Sequence, residues 1–338
     1  MSPLVSVWLE FAACVALIGL AGPELCRSGD VIAEKTGLSG SWIGLVLLAS
    51  VTSLPELAIG VSSVTIADAP DIAIGDAFGS TVLNLLMLVV LDFLQRGDSV
   101  YRRVRLGHVV SAGFGVILIG FAGMNLLLHG RGLGLAIGHV GSYTPIILLL
   151  YALAMRTVFT YEREHREEFA EEMAERYPRT TLRAAVLRYA AGGLVIVGAG
   201  TWLPFIAGRL ADVMGWRTSF VGTLFVAGAT SLPELVVTVS ALRIGALDMA
   251  IANLLGSNLF DMAIVAIDDL LYADGPILAR VSPVHGVTAM SAVVMTGIVI
   301  VGLLYRPRTR VFRTVGWVSL GLFVMYLLNS YMLYLHSE

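Results

Sequence analysis

The chain has 338 residues, of which 57% are hydrophobic and only 14% charged, and its formal net charge is −3. Its mean hydropathy is +0.83. Soluble domains carry about one quarter charged residues, so these values exclude a soluble enzyme or a nucleic-acid-binding module and place the chain in lipid.

Uncharged runs of about 20 residues, long enough to cross a bilayer as a helix, recur along the whole sequence. They fall near 4–22, 42–66, 72–91, 106–127, 133–155, 184–208, 218–242, 249–267, 282–304 and 314–334. They are continuous rather than alternating, so an all-α polytopic protein of ten transmembrane helices is expected, not a barrel. Met1 to Gly22 has the length of a signal peptide but lacks a basic n-region and carries Glu10, so it reads as a retained first span. Cys14 and Cys26 suggest neither a metal cluster nor a disulfide framework, and read as packing residues. The one lysine, Lys35, stands in no Gly-rich phosphate loop, so ATP is not expected to drive this chain. No cofactor, no nucleic acid and no obligate protein partner is expected; the environment is the lipid bilayer.

With ten spans the loops alternate between two sides, and eighteen of the 22 basic residues fall on one of them. By the positive-inside rule that side is cytoplasmic, which puts both termini outside a plasma membrane. The longest polar stretch, YEREHREEFAEEMAERYPR at 161–179, spaces acids and bases as a solvated helix does. It divides the chain into a first five-helix repeat at 1–158, a cytoplasmic linker at 159–181 and a second five-helix repeat at 182–338.

Self-similarity across that midpoint is direct. GLVLLASVTSLPELAIGVS at 44–62 returns as GTLFVAGATSLPELVVTVS at 222–240, and DIAIGDAFGSTVLNLLML at 71–88 returns as DMAIANLLGSNLFDMAIV at 248–265. The repeated motifs thus cover 44–88 and 222–265. An odd number of spans separates the copies, so the second half must enter the bilayer in the opposite sense. Inverted repeats of this kind place ion sites near the midplane, at interrupted helices.

Pro55 and Pro233 interrupt their spans and release carbonyls one turn earlier, at Val51 and Ala229. Beside the breaks lie Thr52, Ser53 and Glu56 in one copy and Thr230, Ser231 and Glu234 in the other. Carboxylates, hydroxyls and loosened carbonyls are hard oxygen donors, suited to Ca²⁺ or Na⁺ rather than Zn²⁺ or Cu⁺. A carboxylate at the bilayer centre costs about 2.5–3.5 kcal/mol on insertion scales, which argues against a passive symmetric pair, although a protonated glutamate pinning two helices is the bland alternative. On the partner helices, Asp76, Ser80 and Asn84, and likewise Asn253, Ser257 and Asp261, recur every four residues and line one helix face. Interhelical hydrogen bonding, with Gly75, Gly79 and Gly256 permitting close approach, is the bland reading of those stripes. Glu56, Glu234, Asp261 and either Asn84 or Asp76 would give a cavity about two to four negative charges, which favours one divalent or several monovalent cations competing for the same oxygens.

TSLPEL twice and GSNLFD once resemble the alpha repeats of the cation/Ca²⁺ exchanger superfamily, specifically the compact membrane core of Na⁺/Ca²⁺ exchangers. The resemblance covers nearly the whole chain. It implies that Glu56 and Glu234 ligate Ca²⁺, aided by backbone oxygens of Thr52 and Thr230, and that the same glutamates help bind Na⁺. Ser53, Ser80, Ser231, Ser257, Asp261 and the carbonyls of Ala49 and Ala227 are similar to the remaining Na⁺ ligands, and Asn84 stands where Na⁺/Ca²⁺ exchangers carry Asn. The first and sixth spans resemble the pair that slides to switch access. Two departures stand out: Thr81 replaces the family's Asn after Gly-Ser, and Asp76 stands where the second half keeps Asn253. Asp76 adds a carboxylate able to accept a proton, which leaves H⁺/Ca²⁺ or K⁺-dependent exchange open beside Na⁺/Ca²⁺ antiport. A channel ranks behind these, because proline-broken inverted repeats suit alternating access.

Overall fold

The computed structural model describes residues 3–95, 98–165, 176–214, 228–307, 310–311 and 315–335. Among these, eight helices are long and apolar enough to cross a membrane, and a bent pair supplies a ninth crossing when counted as one span. The seventh expected run, 218–242, is described only from residue 228 onward, and residues 218–227 lie outside the described residues, as does 166–175 of the expected linker.

The long helices are α1 (Pro3–Thr36), α2 (Gly40–Thr52), α3 (Leu54–Thr65), α4 (Pro70–Leu94), α5 (Gly107–Gly130), α6 (Tyr143–Glu164), α7 (Leu182–Met214), α8 (Leu232–Arg243), α9 (Leu247–Leu271), α10 (His285–Tyr305) and α11 (Trp317–Leu335). α1 outruns its expected end at residue 22, passing through Pro23 to Thr36. An uncharged run marks hydrocarbon thickness rather than the end of helical backbone, and α1 leaves the apolar stretch with Glu24, Arg27, Asp30 and Glu34 at helical spacing. The span expected at 133–155 starts later, because Ala136–Ile137 (β1) and Val140–Gly141 (β2) form a small antiparallel hairpin instead. Gly138 turns it with φ of +68°, a conformation that favours glycine. A second such pair, Arg310–Val311 (β3) with Val315–Gly316 (β4), precedes α11.

The chain resolves into two compact units, each drawn from both halves of the sequence. The first holds the described residues up to Pro55 and those of Phe159–Gly256. Here α1 packs along α7 and against α8. Ile18, Leu203, Ile206 and Leu210 fill the α1–α7 seam, and the Cys26 thiol donates to the Val237 carbonyl at 3.0 Å. The cysteines are indeed free and buried. The end of the linker is fastened to α1: Tyr177 donates its hydroxyl to Asp30 at 2.9 Å, and the amides of Arg176 and Tyr177 donate to Glu34 at 2.8 and 3.2 Å.

The second unit holds Glu56–Val158 and Ser257–His336. Its helices α4, α5 and α11 pack around α10. Two buried carboxylates organise their ends. Asp269, near the end of α9, accepts from the Gly141 amide at 2.8 Å, the Thr144 hydroxyl at 2.5 Å, the Tyr143 hydroxyl at 2.5 Å and the Ile277 amide at 2.8 Å. Asp92, near the end of α4, accepts from the Ser99 hydroxyl at 2.9 Å, the Val100 amide at 3.1 Å, the Gly316 amide at 2.9 Å and the Ser319 hydroxyl at 2.9 Å. The two carboxylates are separated by the same 177 residues that relate 71 to 248. Their donor sets also correspond, amide for amide at Val100 and Ile277 and hairpin for hairpin at Gly316 and Gly141. A carboxylate with four donors needs no water, which lets both residues sit at 0% exposure.

Candidate cation site

In both copies of TSLPEL the proline occupies the second residue of a helix, α3 or α8, where its missing N–H costs nothing. The residue before each helix adopts the same bridge conformation: Ser53 at φ −92°, ψ 6° and Ser231 at φ −81°, ψ 6°. α2 and α3 consequently meet at 41°. Upstream of the first break, Ile43–Leu48 is wound as a π-helix, a local underwinding that recurs at functional sites.

In the first unit, Thr52, Ser53, Thr230, Ser231 and Glu234 are all buried. The structure brings the two copies together directly here: the Ser53 hydroxyl donates to Glu234 Oε1 at 3.2 Å. The Ala49 carbonyl, a ligand in the family pattern, accepts the Ser53 amide at 3.0 Å and the Thr52 hydroxyl at 3.3 Å, so it takes part in the break's own hydrogen bonding. Ala227 lies outside the described residues. Asn253 donates to the Thr238 hydroxyl at 3.1 Å.

Gly200 on α7 carries no motif, yet both breaks rest on it. A Cβ there would lie 2.6 Å from the Pro55 Cγ and 3.3 Å from the Pro233 Cγ. Nothing in the sequence signals this role, since the glycine stands in one of many apolar runs. Of the glycines expected to allow close approach, Gly256 does so, with a would-be Cβ 2.4 Å from the Leu45 carbonyl, and Gly75 faces the His285 ring at 3.1 Å. Gly79 differs, for nothing lies within 4 Å of its missing side chain.

In the second unit, Glu56, Ser80, Asn84, Ser257 and Asp261 are likewise buried, whereas Asp76 is half-buried. Thr81, one of the two departures from the family pattern, puts its hydroxyl 3.2 Å from Asp261 Oδ2 and 2.9 Å from the Ala77 carbonyl. Asn84 Oδ1 and Ser257 Oγ have no hydrogen-bond partner among the described residues. Buried oxygens left in that condition carry a desolvation cost that a cation removes. Among the described residues no group of three or more His, Cys, Asp or Glu could hold a metal by itself, so any ion must be completed by hydroxyl, amide and carbonyl oxygens.

A polytopic helical bundle whose two proline-broken segments present buried carboxylates and hydroxyls belongs to the cation transporters rather than the enzymes. The chain matches the family model described as "Sodium/calcium exchanger protein" over residues 6–160 and 184–332. It therefore belongs to the sodium/calcium exchanger family, and it is a membrane exchanger of the cation/Ca²⁺ type. Relatives include "Inner membrane protein YrbG" of Escherichia coli, 24% identical over 95% of this chain and 97% of that one. "Putative antiporter CaxA" of Alkalimonas amylolytica is 24% identical over 93% and 97%. "Sodium/calcium exchanger MaX1" of Methanosarcina acetivorans is 27% identical over 71% and 75%. Among solved structures, the sodium-calcium exchanger NCX_Mj soaked with 10 mM Na⁺ and 10 mM Sr²⁺ superposes with a TM-score of 0.73 at 19% identity, over 96% of this chain and 97% of that one, which establishes a common fold.

Proposed function

We propose that the chain is a secondary antiporter that exchanges Na⁺ for Ca²⁺ by alternating access across the plasma membrane, with both termini external. Glu56 and Glu234 are the proposed Ca²⁺ ligands, completed by the backbone oxygens of Thr52 and Thr230. Ser53, Ser80, Asn84, Ser231, Ser257, Asp261 and the carbonyls of Ala49 and Ala227 complete the proposed Na⁺ ligands. The two five-helix halves, 1–158 and 182–338, are proposed as inverted repeats. The observation that carries this most is the Ser53–Glu234 hydrogen bond, because it couples one copy's break to the other copy's carboxylate. An ion held there is held by both repeats. A group that ligates one cation is denied to the next, which is the least that exchange requires.

The test is radiolabelled Ca²⁺ uptake into proteoliposomes under outward Na⁺, K⁺ or H⁺ gradients. Only the Na⁺ gradient is expected to drive uptake, and Glu234→Gln or Glu56→Gln is expected to reduce it by about 100-fold or more, as loss of a buried charged partner does. Uptake driven by H⁺ or K⁺ alone would replace Na⁺ as the coupling ion, and uptake without any counter-ion would overturn exchange.

A further inference from the structure

Asp268 precedes the Asp269 anchor by one residue but shares none of its donors. It lies on α9 at 0% exposure, and neither of its carboxylate oxygens has a hydrogen-bond partner among the described residues. Asp76 on α4 is the charged group whose field reaches it. The α3 backbone closes the third side: a Cβ at Gly60 would lie 2.4 Å from Asp268 Oδ2 and 2.7 Å from Oδ1. Glu56 precedes Gly60 on that helix by four residues, one turn and about 6 Å of rise. On Asp268's own helix, Asp269 spends both its oxygens on four other donors.

An ionised carboxylate buried from water and without donors is too costly to persist, so it must gain a positive charge. Ca²⁺ needs six to eight oxygens, and the contact with Gly60 leaves no room for such a shell. A proton needs none. We propose that Asp268 is a second cation site of this exchanger, one that holds a proton. Binding is the simple step carboxylate plus proton to carboxylic acid. Its place against Gly60, which stands one turn along α3 from Glu56, lets proton occupancy bias the cation site through space, so that loading one site favours unloading the other. This last coupling presupposes the proposed exchange, whereas the proton site itself does not.

Infrared difference spectroscopy of the purified full-length protein, titrated between about pH 5 and 9, reads the site with no transport step. A protonated-carboxyl carbonyl stretch is expected in the wild type and is expected to vanish in Asp268→Asn. Asp76→Asn is expected to retain the band but to move its titration midpoint by about one pH unit or more, since a like charge has been removed. That variant keeps the proposal testable if Asp268→Asn does not fold. Absence of the band at every pH, or its survival in Asp268→Asn, would overturn the proton site, as would radiolabelled Na⁺ binding that Asp268→Asn abolishes in place of the band. A band that behaves as expected in a protein that moves no Ca²⁺ would leave Asp268 standing and refute the exchange reading instead.

Discussion

Asp269→Asn isolates what a buried carboxylate contributes to this fold. The change keeps shape and volume but swaps one oxygen for an NH₂ group, which cannot accept. Oδ1 takes the Tyr143 hydroxyl and the Ile277 amide, and Oδ2 takes the Gly141 amide and the Thr144 hydroxyl. Whichever way the amide turns, two donors of the four face another donor. A hydrogen bond to a charged group contributes about 1.5–3 kcal/mol, so the expected loss is about 3–6 kcal/mol. Thr144→Val removes one donor and leaves the carboxylate three, for a loss of about 1.5–3 kcal/mol. Equilibrium unfolding in mixed detergent and denaturing micelles, followed by tryptophan fluorescence, compares the two with wild type. The repeat-related Asp92→Asn is expected to match Asp269→Asn, since among the described residues Asp92 also takes two donors on each oxygen. If Asp269→Asn stays within about 1 kcal/mol of wild type, or is less harmful than Thr144→Val, the four-donor account is refuted.

Three further outcomes follow from the site. Gly200→Ala pushes a methyl onto two proline rings and is expected to cost about 1–3 kcal/mol of stability or to slow Ca²⁺ flux, whereas Gly198→Ala, which meets nothing within 4 Å, leaves both unchanged; thermal unfolding and flux assays on the pair decide. Ser53→Ala removes the donor to Glu234 and is expected to weaken ion affinity by about 5- to 10-fold, read as half-saturation for Ca²⁺ uptake, with the protein still folded. Thr81→Val frees Asp261 of a hydroxyl contact and is expected to shift the half-saturation for Na⁺ by less than about 10-fold; a total loss would show that Thr81 itself ligates the ion.

Most of the helical architecture was legible because hydrocarbon imposes one period and one length on every span. The proline breaks were legible too, since proline states its own backbone consequence and the duplication states that it matters. What the sequence could not supply were features without a length or a period. The overrun of α1 to Thr36 depends on charged residues that a hydropathy run treats as its end. The hairpin at Ala136–Gly141 depends on a glycine turn inside an apolar stretch. Gly200 is visible only once the two prolines are placed. Asp92 and Asp269 carry the clearest further signal, because extending each copy of the second motif by four residues, from 88 to 92 and from 265 to 269, pairs them. Asp268 had no such partner, as the first-half position is Leu91. Thr81 stands out in the sequence as a departure, but its contact with Asp261 belongs to the folded chain.

The crossed anchors bear on how such a protein could arise and how it can be taken apart. Asp92, from the amino-terminal half, depends on Gly316 and Ser319 of the carboxy-terminal half, while Asp269 depends on Gly141, Tyr143 and Thr144 in return. Neither half supplies all the donors of its own acid. A chain severed within the linker yields fragments that are each incomplete in lipid until they meet, and an ancestral single copy would have had to find a second, exchanging anchors with it as the fused halves now do.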